Sequence, residues 1–230
     1  YSGANTYSQG TTINPGATLQ LGNGGSTGSL STSGVIDDEG TLIINRSNAV
    51  VQGVDFSTAP ITGAGSVVQA GSGTTTLNVA NTYSGLTTVA NGELFITPAH
   101  QGGGNVVVAD GASFGVTASS VSSNATIGSL TLGNGGATTL DFSYGLTENP
   151  TNAALVAGAV TINGTSAIRI GGTFVVGTFP VLKYGSLSGA FDNTVEGPRG
   201  VTATLSDDTV NHIIYVTVSA VGNGIVWTGT

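Results

Sequence analysis

One short cassette occurs twice in this chain, and its recurrence constrains the fold more than any other feature. Residues 4–16 read ANTYSQGTTINPG and residues 80–92 read ANTYSGLTTVANG, so Asn5, Tyr7 and Gly16 return as Asn81, Tyr83 and Gly92 at one constant offset. After the shared glycine each copy enters an alternating apolar run, ATLQLG in the first and ELFIT in the second. A weaker echo links LGNGGSTGSL at 21–30 with LGNGGATTL at 132–140.

Between these landmarks the chain is a series of short runs rich in Val, Ile, Thr and Leu, punctuated by Gly, Asn and Ser. Thr41–Asn45, Ser66–Gln69, Thr74–Val79, Asn105–Ala109, Ser113–Thr117, Ser129–Leu132, Thr138–Phe142, Ala159–Ile162 and Ala167–Ile170 all alternate as half-buried strands do. No segment carries a helical period. A β-sandwich gives a turn–strand cassette no reason to recur, whereas a stacked coil places equivalent turns above one another. The expected fold is therefore all-β, a parallel solenoid. In it the two cassettes lie directly over one another, and Asn5 and Asn81 occupy coil corners where amides stack in a ladder. At about 20–25 residues per coil the chain makes about nine to eleven coils, and at ~4.8 Å per coil a rod of about 45–55 Å.

Composition supports this. Gly (38), Thr (34), Ser (23) and Asn (17) make up 112 of the 230 residues, and small side chains suit a narrow interior in which each layer must fit over the last. Positive mean hydropathy argues against disorder. Twelve acidic against four basic residues give a net charge of −8, which excludes recognition of a phosphate backbone and hence a nucleic-acid partner. With no Cys there is neither a disulfide framework nor a thiolate metal site. The absence of Met predicts a processed piece of a longer chain, and no apolar run reaches the ~20 residues of a membrane span, so membrane attachment is expected only through a domain outside this chain.

From Thr173 the texture changes. Val201–Leu205 and His212–Val218 alternate around Asp207-Asp208, which reads as a hairpin turn. The expected organisation is solenoid coils over 1–172, with cassettes at 4–22 and 63–97. A closing coil or hairpin follows over 173–221, and the start of a following module over 222–230. A solenoid end needs such a cover because an open coil presents unpaired backbone groups.

The run GAGSVVQAGSGTTTLNVANTYSGLTTVANGELFI (63–96) resembles the autotransporter-associated β-strand repeat, and residues 4–22 resemble the second half of that pattern. The closing run FPVLKYGSLSGAF with VTATLSDDTVNHIIYVTV is similar to the end of such units, and IVWTGT (225–230) to the opening of the next. Leu86 and Gln9-Gly10 depart from the usual glycine pair. The resemblance implies a right-handed parallel β-helix, part of an autotransporter passenger exported to the bacterial surface. It also implies passage through the periplasm unfolded, which suits a chain without Cys.

Candidate chemistry is sparse. In Asp37-Asp38-Glu39, alternation places Asp37 and Glu39 on one face, where they would suit a cation, with Asp38 on the other. The glycine that follows makes a solvated turn the plainer reading. A glycosidase needs two carboxyls held on one surface and a lyase a base beside them. Arg46, Arg169, Lys183 and Arg199 neither repeat nor cluster along the chain, and His100 and His212 lie far apart in it. The Gly-rich runs at 22–28 and 101–105 lack the Asp of calcium nonapeptides and the Lys of a phosphate loop. Tyr7 and Tyr83 at equivalent repeat positions read as structural, and Trp227 as packing on whatever follows.

The expected function is a non-enzymatic extracellular scaffold or adhesin segment. It needs no cofactor, and its expected partners are host or neighbouring-cell surface molecules or glycans. A self-assembling fibre subunit that stacks end to end and a carbohydrate-active β-helix enzyme are the alternatives.

Overall fold

The computed structural model describes residues 1–102, 104–145 and 148–222, and in them the alternating runs become strands of a parallel coil. The longest sheet stacks Thr18–Leu21, Thr41–Ile44, Ser66–Gln69, Thr87–Val89, Asn105–Val108, Ala125–Leu132, Leu155–Ile162 and Gly177–Ser188 in parallel. A seven-stranded parallel sheet runs beside it from Val50–Val51 through Thr74–Leu77, Glu93–Ile96, Ser113–Ala118, Ala137–Tyr144 and Thr165–Gly172 to Val195–Glu196. A short third sheet of Thr11–Ile13, Ile36–Asp38 and Ile61–Thr62 closes the coil in the N-terminal part. Farther along, each turn of the chain consists of two strands of eight residues. This is a parallel β-helix.

Successive coils differ in length. In the long sheet, register pairs Thr87 with Val106 across a short coil and Ser129 with Ala159 across a much longer one. Eight coils result, fewer than nine to eleven, because the later turns are long and the last stretch leaves the coil. Val201–Asp208 and Ile213–Val221 form an antiparallel hairpin that joins the long sheet at Gly177–Ser188. Asp207 and Asp208 are paired strand residues, not the turn. Asp208 instead stabilises that turn by accepting from the amides of Val210 and Asn211 at 3.1 and 3.0 Å. Trp227 and residues 225–230 lie outside the described residues.

Inward positions form columns along the rod axis. Leu77, Ile96, Val116, Phe142 and Ile170 stack by register on the seven-stranded sheet, facing Leu21, Ile44, Val89, Val108, Leu132 and Ile162 of the long sheet. Gln69 interrupts the second column and is fully satisfied. It donates to the carbonyls of Gly71 and Gly73 and accepts from the Thr75 hydroxyl at 2.6 Å.

The two cassettes do not lie over one another. Thr11–Ile13 belongs to the short sheet, whereas its counterpart Thr87–Val89 belongs to the long one. Register carries Thr87 down through Val67 and Leu42 to Leu19, so Leu19 and not Thr11 shares its column. The reason is coil length. Thr11 to Ile36 and Ile36 to Ile61 are coils of equal length, and a third of that length would end at Leu86. Instead the Thr82 amide is already bonded to Ile61. The segment 83–86 then carries the second cassette round the corner. Its internal geometry survives the shift, since Tyr7 bonds Thr11 and Tyr83 bonds Thr87 through their hydroxyls.

The shift changes what each asparagine does. Asn81 is fully buried and pairs reciprocally with the Gln52 amide, both bonds 2.8 Å, while also accepting from the Ile61 amide. No asparagine ladder forms at this corner. Asn5 is half-buried and donates to the carbonyls of Ser29 and Gly3. Replacing Asn81 by Ala strands buried donors and acceptors and is expected to cost about 2–4 kcal/mol. Asn5→Ala is expected to cost under about 1 kcal/mol. Urea unfolding of the two variants measures the difference, and equal losses would contradict the unequal placement.

Candidate functional site

The repeat positions occupy unequal environments. Tyr83 is buried against His100, ring centroids 5.5 Å apart and edge-on, while Tyr7 is 39% exposed. Gly16 and Gly92 both turn the chain with positive φ, +76° and +63°, a region that favours glycine.

The acidic trio is not a solvated turn. Asp38 ends the strand Ile36–Asp38, and the alternation that buries Ile36 buries Asp38 as well. Its Oδ1 accepts from the Gly40 amide at 3.0 Å. Burial raises the Asp38 carboxyl above the ordinary aspartate range, against the lowering effect of the Gly40 and Leu42 amides. Glu39 is exposed and accepts from the Ala64 amide at 3.3 Å. His100, which follows Pro98 in a glycine-rich stretch, is also buried, and desolvation pushes its pKa down to about 4.

Two of the basic residues, Arg46 and Arg169, do cluster with acids once the chain is coiled. Arg46 is buried and bonds Asp55 at 2.7 Å, the Gly28 carbonyl and Asn48. More notable is a group on the outer face of the seven-stranded sheet. Asp141, Arg169 and Glu196 are register partners on three adjacent strands, each one coil from the next. Arg169 Nη1 bonds Asp141 at 2.9 Å and reaches Glu93 at 3.4 Å, while its Nε bonds Glu196 at 3.2 Å. Gly115, the register partner of Asp141 on the intervening strand, makes room for the Phe95 ring. The Asp141 side chain is 7% exposed, and burial raises its pKa to about 6 despite the adjacent guanidinium.

Sequence reading missed this group because its members are far apart in the chain and meet only through the register of the coils. The signal that finds them is positional: charges at the same outward strand position, one coil apart. Chemically the group is an ion network in which one guanidinium engages three carboxyl groups. Glycoside hydrolysis requires two carboxyls with a sugar and often a water between them, but here one guanidinium nitrogen sits between Glu93 and Asp141. Among the described residues no group of three or more His, Cys, Asp and Glu is placed to hold a metal ion.

The passenger-associated-transport-repeat model matches residues 2–21 and 67–94, the two segments that contain the cassettes. These two segments are similar to the passenger-associated-transport repeat. With the parallel coil, the match fits an autotransporter passenger β-helix. No curated protein matches the chain. Residues 2–21 run from the short sheet into the long one, whereas residues 67–94 pass from the long to the seven-stranded sheet twice, over more than one coil.

Two buried groups of this coil titrate in one pH range with opposite sign. Native Asp141 binds its proton at about pH 6, above the unfolded aspartate value of 3.8, so stability from this group grows as pH falls through that window. Native His100 resists protonation until about pH 4 whereas the unfolded side chain accepts it near 6.5, so stability from this group is lost over nearly the same window. Relative to the parent protein, Asp141→Asn is expected to lose stability on acidification from pH 7 to 4 and His100→Gln to gain it. Each change is expected to be about 1–3 kcal/mol, read by denaturant unfolding across pH. Parallel pH profiles for all three proteins would contradict these assignments.

Proposed function

We propose that this chain is a non-enzymatic structural segment of a secreted or surface-anchored bacterial passenger, a rod that spaces or presents adhesive surface outside the cell. The observation that carries this reading is the uninterrupted parallel register of the long sheet over eight coils. The passenger-repeat match supports the extracellular setting, and a chain without Cys suits export before folding. The outward charged group supports a structural role, because its carboxylates are engaged by Arg169.

Purified protein is expected to leave a panel of polysaccharides intact. Depolymerisation abolished by Glu93→Gln or Asp141→Asn would replace the scaffold reading with an enzymatic one. Electron micrographs are expected to show discrete rods, the coiled part about 35 Å long at ~4.8 Å per coil. Long uniform filaments would instead support a self-assembling fibre subunit. In the full-length parent, the segment is expected to be cleaved by protease added to intact cells.

A further inference from the structure

We propose that a trough on the outer face of the long sheet, centred on Lys183, binds an extended saccharide bearing carboxylates, a uronate-type chain. Two adjoining cavities of about 440 and 400 Å³ share Val156 and Lys183 as lining residues, within the size range of ligand sites. They lie where the coil widens to strands of eight residues and more.

At Gly128, Gly158 and Gly185 the floor is bare backbone. A side chain at Gly158 would strike the Gly128 carbonyl, and one at Gly185 the Gly158 carbonyl. At one end Tyr215 and its register partner Pro180 form an apolar platform, half-buried on both sides of the sheet junction. The bulge between Pro180 and Leu182 shifts the register there. Opposite them, Thr151 and Asn152 are held by bonds to the carbonyls of Val121 and Ser122 at 3.0 and 2.7 Å. Asn152 and the exposed Asn124 also line the trough. An apolar platform for a pyranose face, with amide side chains for its hydroxyls, is the mixed lining that small-molecule sites use.

Lys183 supplies the selectivity. It is the only lysine in the chain, it is exposed, and among the described residues no carboxylate lies within ion-pair distance of it. Asp208 lies across the sheet through Ile213, two strands away or about 10 Å, and is engaged in the hairpin turn. The net charge of −8 is screened beyond a Debye length of about 8 Å, so a carboxylate entering the trough meets chiefly the ammonium group. An acidic peptide fits less well, because the trough lies on a sheet face whose strands are already paired on both edges and offers no edge for strand addition.

The proposal rests on the extracellular reading only for access to such a ligand. Calorimetry of the purified chain with short oligogalacturonates, their carboxyl-reduced neutral counterparts and poly-glutamate tests it. The uronate is expected to bind, and Lys183→Gln or carboxyl reduction to weaken binding about tenfold, the loss of one charge-assisted contact. Tyr215→Ala is expected to weaken both sugars, and Glu93→Gln on the other sheet to change nothing. No uronate binding, equal affinity for the neutral sugar, unchanged affinity in Lys183→Gln, or equal binding of poly-glutamate overturns the trough assignment. Protease accessibility on intact cells tests the extracellular reading separately, so either can fail alone.

Discussion

Successive coils meet at one corner more closely than any side chain permits. Where the chain enters the long sheet, Gly65, Gly85, Gly104, Gly128, Gly158 and Gly185 follow one another coil by coil. From Gly85 onward a Cβ on Gly85, Gly104, Gly158 or Gly185 would collide with the carbonyl of the glycine one coil earlier. This contact fixes a close backbone spacing at that corner, in step with the parallel register of the long sheet. Once register is set, every inward residue stands over another inward residue, so the interior must be built column by column. At the start of the corner, Gly65 leaves the space that the Asp38 carboxyl fills, which is why an aspartate is tolerated inside.

The strands were legible because alternation is a local property. TLII, SVVQ, NVVV and the later eight-residue runs each show which residues face inward without reference to the rest of the chain. The corner glycines were legible as turn signals for the same reason. The face on which a cassette lands was not, because it depends on the summed lengths of the coils before it. One coil that closes early, at Thr82 and not at Leu86, moved ANTYSGLTTV by one sheet while leaving its own Tyr–Thr bond intact. Asp38 and His100 escaped detection on related grounds. Each has turn residues for neighbours, and only the position of the coils above and below makes it interior.

Burial without full pairing places both of those groups, and Asp141, away from their ordinary ionisation. Their effects on stability do not accumulate, because a carboxyl raised by desolvation and an imidazole lowered by it respond oppositely to acid. A rod that buries both kinds changes less across mildly acidic pH than one burying either alone. The physical cause is common to the two: water is excluded, and the charged form of each loses hydration.

Stacking also explains why charge is so scarce. In a parallel coil an outward residue recurs over its register partner about 5 Å away, where two like charges repel by about 3 kcal/mol at an effective dielectric of about 20. Adjacent positions of a column can therefore both carry charge only if the sign alternates; otherwise a charge stands beside neutral partners. Both solutions are present. On the seven-stranded sheet the column reads Asp141, Arg169, Glu196, alternating strictly. On the long sheet it reads Gln20, Ile43, Val68, Thr88, Val107, Thr131, Thr161, Ser188, with no charge over eight coils. A solvated cation on the long sheet, such as Lys183 over Val156, accordingly stands over a neutral register partner.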